Sequence, residues 1–240
     1  MVKGLTTAGL GKPEFKLALQ QHDNYINALE KCGLKVEVLQ ADERYPDSVF
    51  IEDTALCTKD VAIISRPGAE SRLGEETEIE KVLKGFYKKI ERIEFPGTVE
   101  AGDIMMVGSY FYIGLSNRTN RTGANQMINL LERYKMTGSV VELNDVLHLK
   151  TGVSYLENNV LLAAGEFVYH PAFQKFEIIP VENHEAYAAN SVWLNGCVLV
   201  PEGYPSARDK IKKFGYQVIE VDLSEFQKLD GGLSCLSLRF

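Results

Sequence analysis

Residues 51–68, IEDTALCTKDVAIISRPG, decide the fold. An acidic anchor, Asp53, precedes a short apolar run, a polar turn follows, and a second apolar run ends in Arg-Pro-Gly. The same grammar recurs in 99–116 (VEAGDIMMVGSYFYIGLS), 147–166 (LHLKTGVSYLENNVLLAAGE), 186–203 (AYAANSVWLNGCVLVPEG) and, shortened, in 230–240 (DGGLSCLSLRF). The anchors Asp53, Asp103, His148, Asn190 and Cys235 are spaced at intervals of roughly 42–50 residues, a period that marks stacked or radial repeats. Gly108-Ser109, Glu157-Asn158-Asn159 and Asn195-Gly196 separate the paired runs and supply residues that tolerate the positive φ of tight hairpins.

Between the hairpins lie amphipathic stretches. Pro13 to Lys31 sets Phe15, Leu19, His22, Ile26 and Leu29 on one face of a helix, with proline near its start and Gly33 past its end. Glu75 to Lys88, Thr122 to Tyr134 and Ser206 to Phe214 read as helices too. Hairpins alternating with helices give an α/β fold of ββα-type units around a pseudo-symmetry axis, with polar anchors converging on that axis. No Pro/Gly/Ser-rich linker interrupts the 240 residues, so a single domain, 1–240, is expected.

The composition, 45% hydrophobic and 25% charged, is that of a globular chain able to bury a sizeable core. A net charge of −7 disfavours nucleic acid as a partner and suits a cationic ligand. No apolar run reaches the ~20 residues of a membrane span, and the opening MVKGLTTAG has no hydrophobic core followed by a cleavage site. Cys32, Cys57, Cys197 and Cys235 form no CxxC pair and read as free thiols of a reducing cytoplasm. A homodimer is compatible with the sequence.

The anchors assemble one thiol, one imidazole and several carboxylates, a set that supports nucleophilic catalysis because a thiolate attacks and an imidazole handles protons. Spacing alone leaves the alternative open that Cys235 is a core thiol and His148 a satisfied strand histidine. The pair Gly231-Gly232 just upstream permits close backbone approach beside Cys235. Glu52, Asp53 and Glu100 adjoin strands expected to be buried, so each needs a partner. One reading is an internal salt bridge with Arg72 or Arg118. The other is that the carboxylates hold a substrate cation while the arginines fork onto a substrate carboxylate. GxxxxGK[ST], GxGxxG and HExxH are absent, and no two metal-type ligands are closely spaced, so neither cofactor nor metal is expected.

At these residues the chain resembles a known family. FIEDTALC (50–57), ISRPGAESRLGE (64–75), PGTVEAGDIMMVG (96–108), FYIGLSNRTN (111–120), VLHLKTG (146–152), LLAAGEF (161–167) and DGGLSCLSLRF are similar to bacterial-type dimethylarginine dimethylaminohydrolases, and the similarity runs from Gly4 to Phe240. The resemblance implies the pentein fold, a five-bladed α/β propeller of ββαβ-type repeats. It implies Cys235 as nucleophile, His148 as acid and base, and Glu100 with Asp53 as the grip on the guanidinium. Substrate contacts would fall on Leu5, through its backbone in a lid around Gly4 to Gly9, and on Asp47, Glu52 and Leu229. Arg72 and Arg118 would hold the α-carboxylate. Members of the family usually begin with further residues that include a strand, so the N-terminal strand is expected to be missing here.

The reaction so implied converts asymmetric dimethyl-L-arginine or monomethyl-L-arginine to L-citrulline and dimethylamine or methylamine through a covalent thiouronium. An arginine deiminase-like or other amidino hydrolase would use the same residues. A non-catalytic amino-acid binding protein is the alternative from another class.

Overall fold

A repeated β-β-α-β unit organises the chain in a computed structural model, which describes residues 1–144 and 146–240. Among the described residues there are four three-stranded sheets, each an antiparallel hairpin followed by a parallel third strand. The first holds β1 (Ala55–Cys57), β2 (Ala62–Ile64) and β3 (Ile90–Arg92), and the second β4 (Ile104–Val107), β5 (Tyr110–Leu115) and β6 (Thr137–Glu142). The third holds β7 (Val153–Tyr155), β8 (Val160–Ala164) and β9 (Glu177–Val181), and the fourth β10 (Val192–Leu194), β11 (Cys197–Pro201) and β12 (Gln217–Val221). The crossover from second to third strand carries α2 (Glu76–Leu83) in the first sheet, α3 (Arg121–Arg133) in the second and α4 (Pro205–Lys213) in the fourth, while the third uses 3-10 turns. The fifth repeat holds a 3-10 turn, Ser234–Leu236, and no ladder among the described residues. Its quoted sequence has no second apolar run with which to close a hairpin. The first strand of the described chain is β1.

The turns follow their sequence. Asn195 and Gly196 take φ of 49° and 90°, and Glu157, Asn158 and Asn159 are all left-handed. Asn120 caps α3, its side chain accepting the Gly123 N–H at 2.7 Å. Helix α2 is shorter than its periodicity suggests. It stops at Leu83 because Gly85 and Phe86 fold back onto the Val82 and Leu83 carbonyls before β3 begins.

Two compact units group these elements, Phe50–Thr151 with Cys235–Phe240 and Met1–Val49 with Gly152–Ser234. In the unit around 50–151, Phe111 and Ile113 of β5 pack with Met127 and Leu131 of α3 and with Val61, Ile63 and Val99, all fully or almost fully buried. Each such side chain contributes about 1.5–3 kcal/mol by leaving water. In the other unit, Leu162, Val198, Val200, Ala207 and Ile211 form the corresponding core.

Helix α1 (Phe15–Lys31) lies in that second unit and corrects one expectation. Its buried face is Ala18, Gln21, Tyr25, Ala28 and Leu29, whereas Phe15 and Leu19 are about half exposed. Small alanines let the helix approach closely, and specific polar bonds set its rotation. Gln21 donates to Asp222 and Ser224 at 2.8 and 2.9 Å, and the Tyr25 hydroxyl donates to the Leu233 carbonyl at 2.8 Å. Cys197 is only half-buried, unlike Cys32 and Cys57. Among the described residues no helix is long and apolar enough to cross a membrane.

Candidate active site

Asp53, Asp103, His148 and Asn190 each sit in or beside a short helical turn that precedes the first strand of their repeat. Three of them perform the same structural task. Asp53 Oδ1 accepts the Gly102 N–H, Asp103 Oδ1 accepts the Leu149 N–H, and Asn190 Oδ1 accepts the Ser234 N–H, each at 2.9 Å. One anchor thus satisfies an orphan donor in the turn of a later repeat, which places that repeat's own anchor.

Within the unit around 50–151 this arrangement brings Asp53, Glu100 and His148 together, their ligand-type atoms all lying within 4.8 Å of one another. Glu100 is completely buried. Its Oε1 accepts the backbone N–H groups of Gly68 and Ala69 at 3.1 and 3.3 Å, and its Oε2 lies 2.9 Å from His148 Nε2. Arg118 Nη1 approaches both oxygens, at 3.3 and 3.5 Å. A carboxylate offers about four lone-pair sites, so Glu100 is saturated.

The electrostatics follow from that packing. Burial by itself would lower the pKa of His148, but the negative charges of Asp53, Asp103 and Glu100 and the Glu100 hydrogen bond raise it to about 9. Burial pushes the Glu100 carboxyl the other way, toward the neutral form. Its bond to His148 and the charges of His148, Arg72 and Arg118 overcome this and hold it well below the usual carboxylate range. At neutral pH the pair is therefore imidazolium and carboxylate. Such a site can bind a second cation only through exchange, and it can deliver a proton from His148.

The two arginines differ. Arg72 is sealed inside: Nη1 donates to Asp53 at 2.6 Å, Nε to Glu75 at 2.8 Å and Nη2 to the Phe50 carbonyl at 2.8 Å. The internal salt bridge that the sequence allowed is what the structure contains at this arginine, and no open carboxylate grip is formed by it. Arg118 is partly exposed, and its Nε and Nη2 have no acceptor among the described residues.

Cys235, half-buried and in no disulfide, lies in the turn Ser234–Leu236, in the same compact unit as His148 and Glu100. The segment before it is held by Asn190, whose Nδ2 also donates to Ser234 Oγ at 3.1 Å. A Cβ at Gly232 would meet Asn190 side-chain atoms at 2.6 Å, which explains the upstream glycine in physical terms. Glu52 is buried, and its Oε1 accepts from Lys150 Nζ at 2.6 Å and from Arg239 Nη2 at 2.8 Å.

Leu5, Asp47 and Leu229 belong to the other unit. There the Leu5 N–H donates to Asp47 Oδ1 at 3.0 Å. The segment around Gly4 to Gly9 is also tied down by Thr6 Oγ1, which donates to the Lys228 carbonyl at 2.8 Å, and by Thr7 N–H, which donates to Asp230. Leu229 is buried between those two contacts in sequence.

Sequence reasoning missed several residues that shape the site. Thr119 Oγ1 accepts the Glu100 N–H at 3.1 Å, Ser116 Oγ donates to Asp103 at 2.7 Å, and Glu75, Lys150 and Arg239 neutralise buried partners. Only Asp103 carried a signal, its place in the repeat.

Comparison with known proteins agrees with this picture. The family model described as N,N dimethylarginine dimethylhydrolase, eukaryotic, matches residues 12–237. An N(G),N(G)-dimethylarginine dimethylaminohydrolase of Pseudomonas aeruginosa is 60% identical over 241 residues, covering 100% of this chain and 95% of that protein. A Streptomyces coelicolor protein of the same name is 34% identical, covering 95% of this chain and 88% of its own. The Pseudomonas enzyme solved as a mutant complexed with citrulline has a TM-score of 0.99 at 60% identity, covering 100% of this chain and 94% of that one. A dimethylarginine dimethylaminohydrolase mutant solved as an adduct with S-methyl-L-thiocitrulline has a TM-score of 0.98 at the same identity and coverage. The α/β fold of mixed ββα-type sheets is that of these structures and is consistent with the pentein propeller. A cyanobacterial arginine dihydrolase, ArgZ, matches at 21% identity with a TM-score of 0.89, a likeness of fold alone. By sequence identity over its whole length and by the family model spanning most of it, this chain belongs to the dimethylarginine dimethylaminohydrolase family.

Proposed function

We propose that this chain hydrolyses Nω-methylated L-arginines, dimethyl and monomethyl, to L-citrulline, with Cys235 as nucleophile. The observation that carries this reading is the buried Glu100–His148 pair beside Asp53, which combines an anionic seat for a guanidinium with an imidazole held charged. The substrate guanidinium docks on Glu100 and Asp53. A cation bound near Cys235 favours its thiolate. The thiolate attacks the guanidinium carbon and forms a C–S bond. His148 protonates the methylated nitrogen, the C–N bond breaks, and dimethylamine or methylamine leaves. Neutral His148 then takes a proton from water, which adds to the thiouronium carbon. The C–S bond breaks, Cys235 returns as thiolate, the added hydroxyl gives up its proton to solvent, where the released amine takes it up, and the neutral ureido group of citrulline remains. These protein groups and water supply every atom and charge the scheme requires.

In this reading Arg118 forks onto the α-carboxylate, while Arg72 holds Asp53 in place and contributes positive charge. Leu5 (through its backbone), Asp47, Glu52 and Leu229 would complete the substrate's surroundings. Cys32, Cys57, Cys197 and Cys235 stand in reduced form, outside any disulfide, which supports a cytoplasmic location.

The test is a substrate panel assayed for citrulline and for each amine. Citrulline and dimethylamine in equal amounts from dimethylarginine are expected. Ammonia from free arginine at a higher kcat/KM than amine from the methylated substrates would overturn the substrate assignment in favour of an arginine deiminase-like enzyme. Tight binding without citrulline would leave an amino-acid binding protein.

A further inference from the structure

Glu100 has no acceptor position left. Two are filled by backbone N–H groups, Gly68 and Ala69, one by His148 and the last by Arg118. A substrate guanidinium can hydrogen-bond Glu100 only if one of these donors leaves. The loop donors are fixed, because Gly68 lies against the Arg118 backbone so closely that a Cβ there would meet the Arg118 carbonyl oxygen at 2.3 Å. His148 is needed where it is. Arg118 Nη1 is shared between the two oxygens at 3.3 and 3.5 Å, the second being the longest contact of the set, and it sits on the side chain most open to solvent. Its backbone is anchored by the bond from its N–H to Ser116 Oγ at 3.0 Å, so the side chain can turn without moving the chain.

We propose that Arg118 is a built-in stand-in for the substrate's guanidinium: it competes for the same face of Glu100 and yields when a substrate carboxylate draws it away. The proposal rests on the functional reading above and deepens it. Arg118 is a guanidinium, chemically the same group that the substrate presents. Its free Nε and Nη2 edge matches a carboxylate bidentately. One ligand end then opens the seat for the other. A methylated arginine carries both groups and is admitted. An alkylguanidine without a carboxylate must displace Arg118 unaided and is refused. Arg118 is thus a specificity-determining residue whose carboxylate contact and guanidinium exclusion are one device.

The test compares binding of propylguanidinium with turnover of monomethylarginine in the wild type, Arg118→Gln and Arg118→Lys. In Arg118→Gln propylguanidinium should bind about tenfold more tightly than in the wild type, while KM for monomethylarginine rises about 100-fold. Arg118→Lys should lie between. A variant-free arm uses the wild type alone: propionate should tighten propylguanidinium binding about threefold or more, since the two ligands favour one conformation and the coupling is reciprocal. Unchanged or weaker propylguanidinium binding in Arg118→Gln, or propionate that fails to tighten it in the wild type, overturns the proposal. Citrulline formation by the wild type is measured in parallel. Its absence would sink the functional reading, whereas its presence with uncoupled binding sinks only the role of Arg118.

Discussion

Asp103 Oδ1 accepts the backbone N–H of Leu149 at 2.9 Å, and through that bond a residue with no place in the reaction holds the neighbouring His148. Asp103 is fully buried and is held by Ser116 Oγ as well. It also helps to keep the imidazole charged. Asp103→Asn retains an acceptor for Leu149 but loses the charge. The expected result is a lower His148 pKa and a lower kcat, with KM little changed. A pH profile of kcat measures this, and an unshifted profile would leave Asp103 a structural residue only.

Glu100→Gln removes the nearest counter-charge of His148. The His148 titration, followed by NMR of the ring, should move down from about 9. Turnover should fall roughly 100- to 10,000-fold, the range for a displaced general acid–base group. The stability profile changes in a defined window. A raised histidine pKa contributes stability that is complete below the unperturbed 6.5 and is lost as pH rises through about 9. Urea unfolding of the wild type should show that loss, and Glu100→Gln should flatten it.

Cys235→Ser should abolish turnover while leaving binding of monomethylarginine within a few-fold, measured by calorimetry. Acid-quenched wild type at steady state should carry a covalent adduct with the mass of substrate minus the departing amine. Citrulline production by Cys235→Ser at the wild-type rate would remove Cys235 from the mechanism.

Arg72→Met leaves Asp53 and Glu75 buried without their cation. Breaking such a network by removing one partner costs about 3–5 kcal/mol, so the urea midpoint should drop sharply. Glu75 reinforces the argument. Burial raises its pKa to about 7 against the pull of Arg72. Removing Arg72 leaves that penalty unopposed. A stability unchanged within 1 kcal/mol would show that the network is not structural.

The repeat was legible because its signals are local. Apolar runs, Asn-Gly turns and anchor spacing depend on residues a few positions apart, and Asn195-Gly196 adopts the positive φ its sequence favours. Helix α1 was legible as a helix but not in its rotation, because Gln21 and Tyr25 are turned inward by partners about 200 residues away, Asp222, Ser224 and Leu233. Arg72 and Arg118 show the same limit at the site. Both could be paired inside or open to a ligand, and only three-dimensional packing gave Arg72 three internal acceptors while leaving an edge of Arg118 free.

By itself, then, the sequence determined the strand–turn–strand–helix order, the recurring polar anchors and the family the chain matches. The tertiary structure decided the state of those groups: a saturated Glu100, an imidazole raised to about 9 and two unlike arginines. The physical reason is that hydrogen-bond saturation and charge coupling depend on distances of a few ångströms between residues tens of positions apart, which no local pattern specifies.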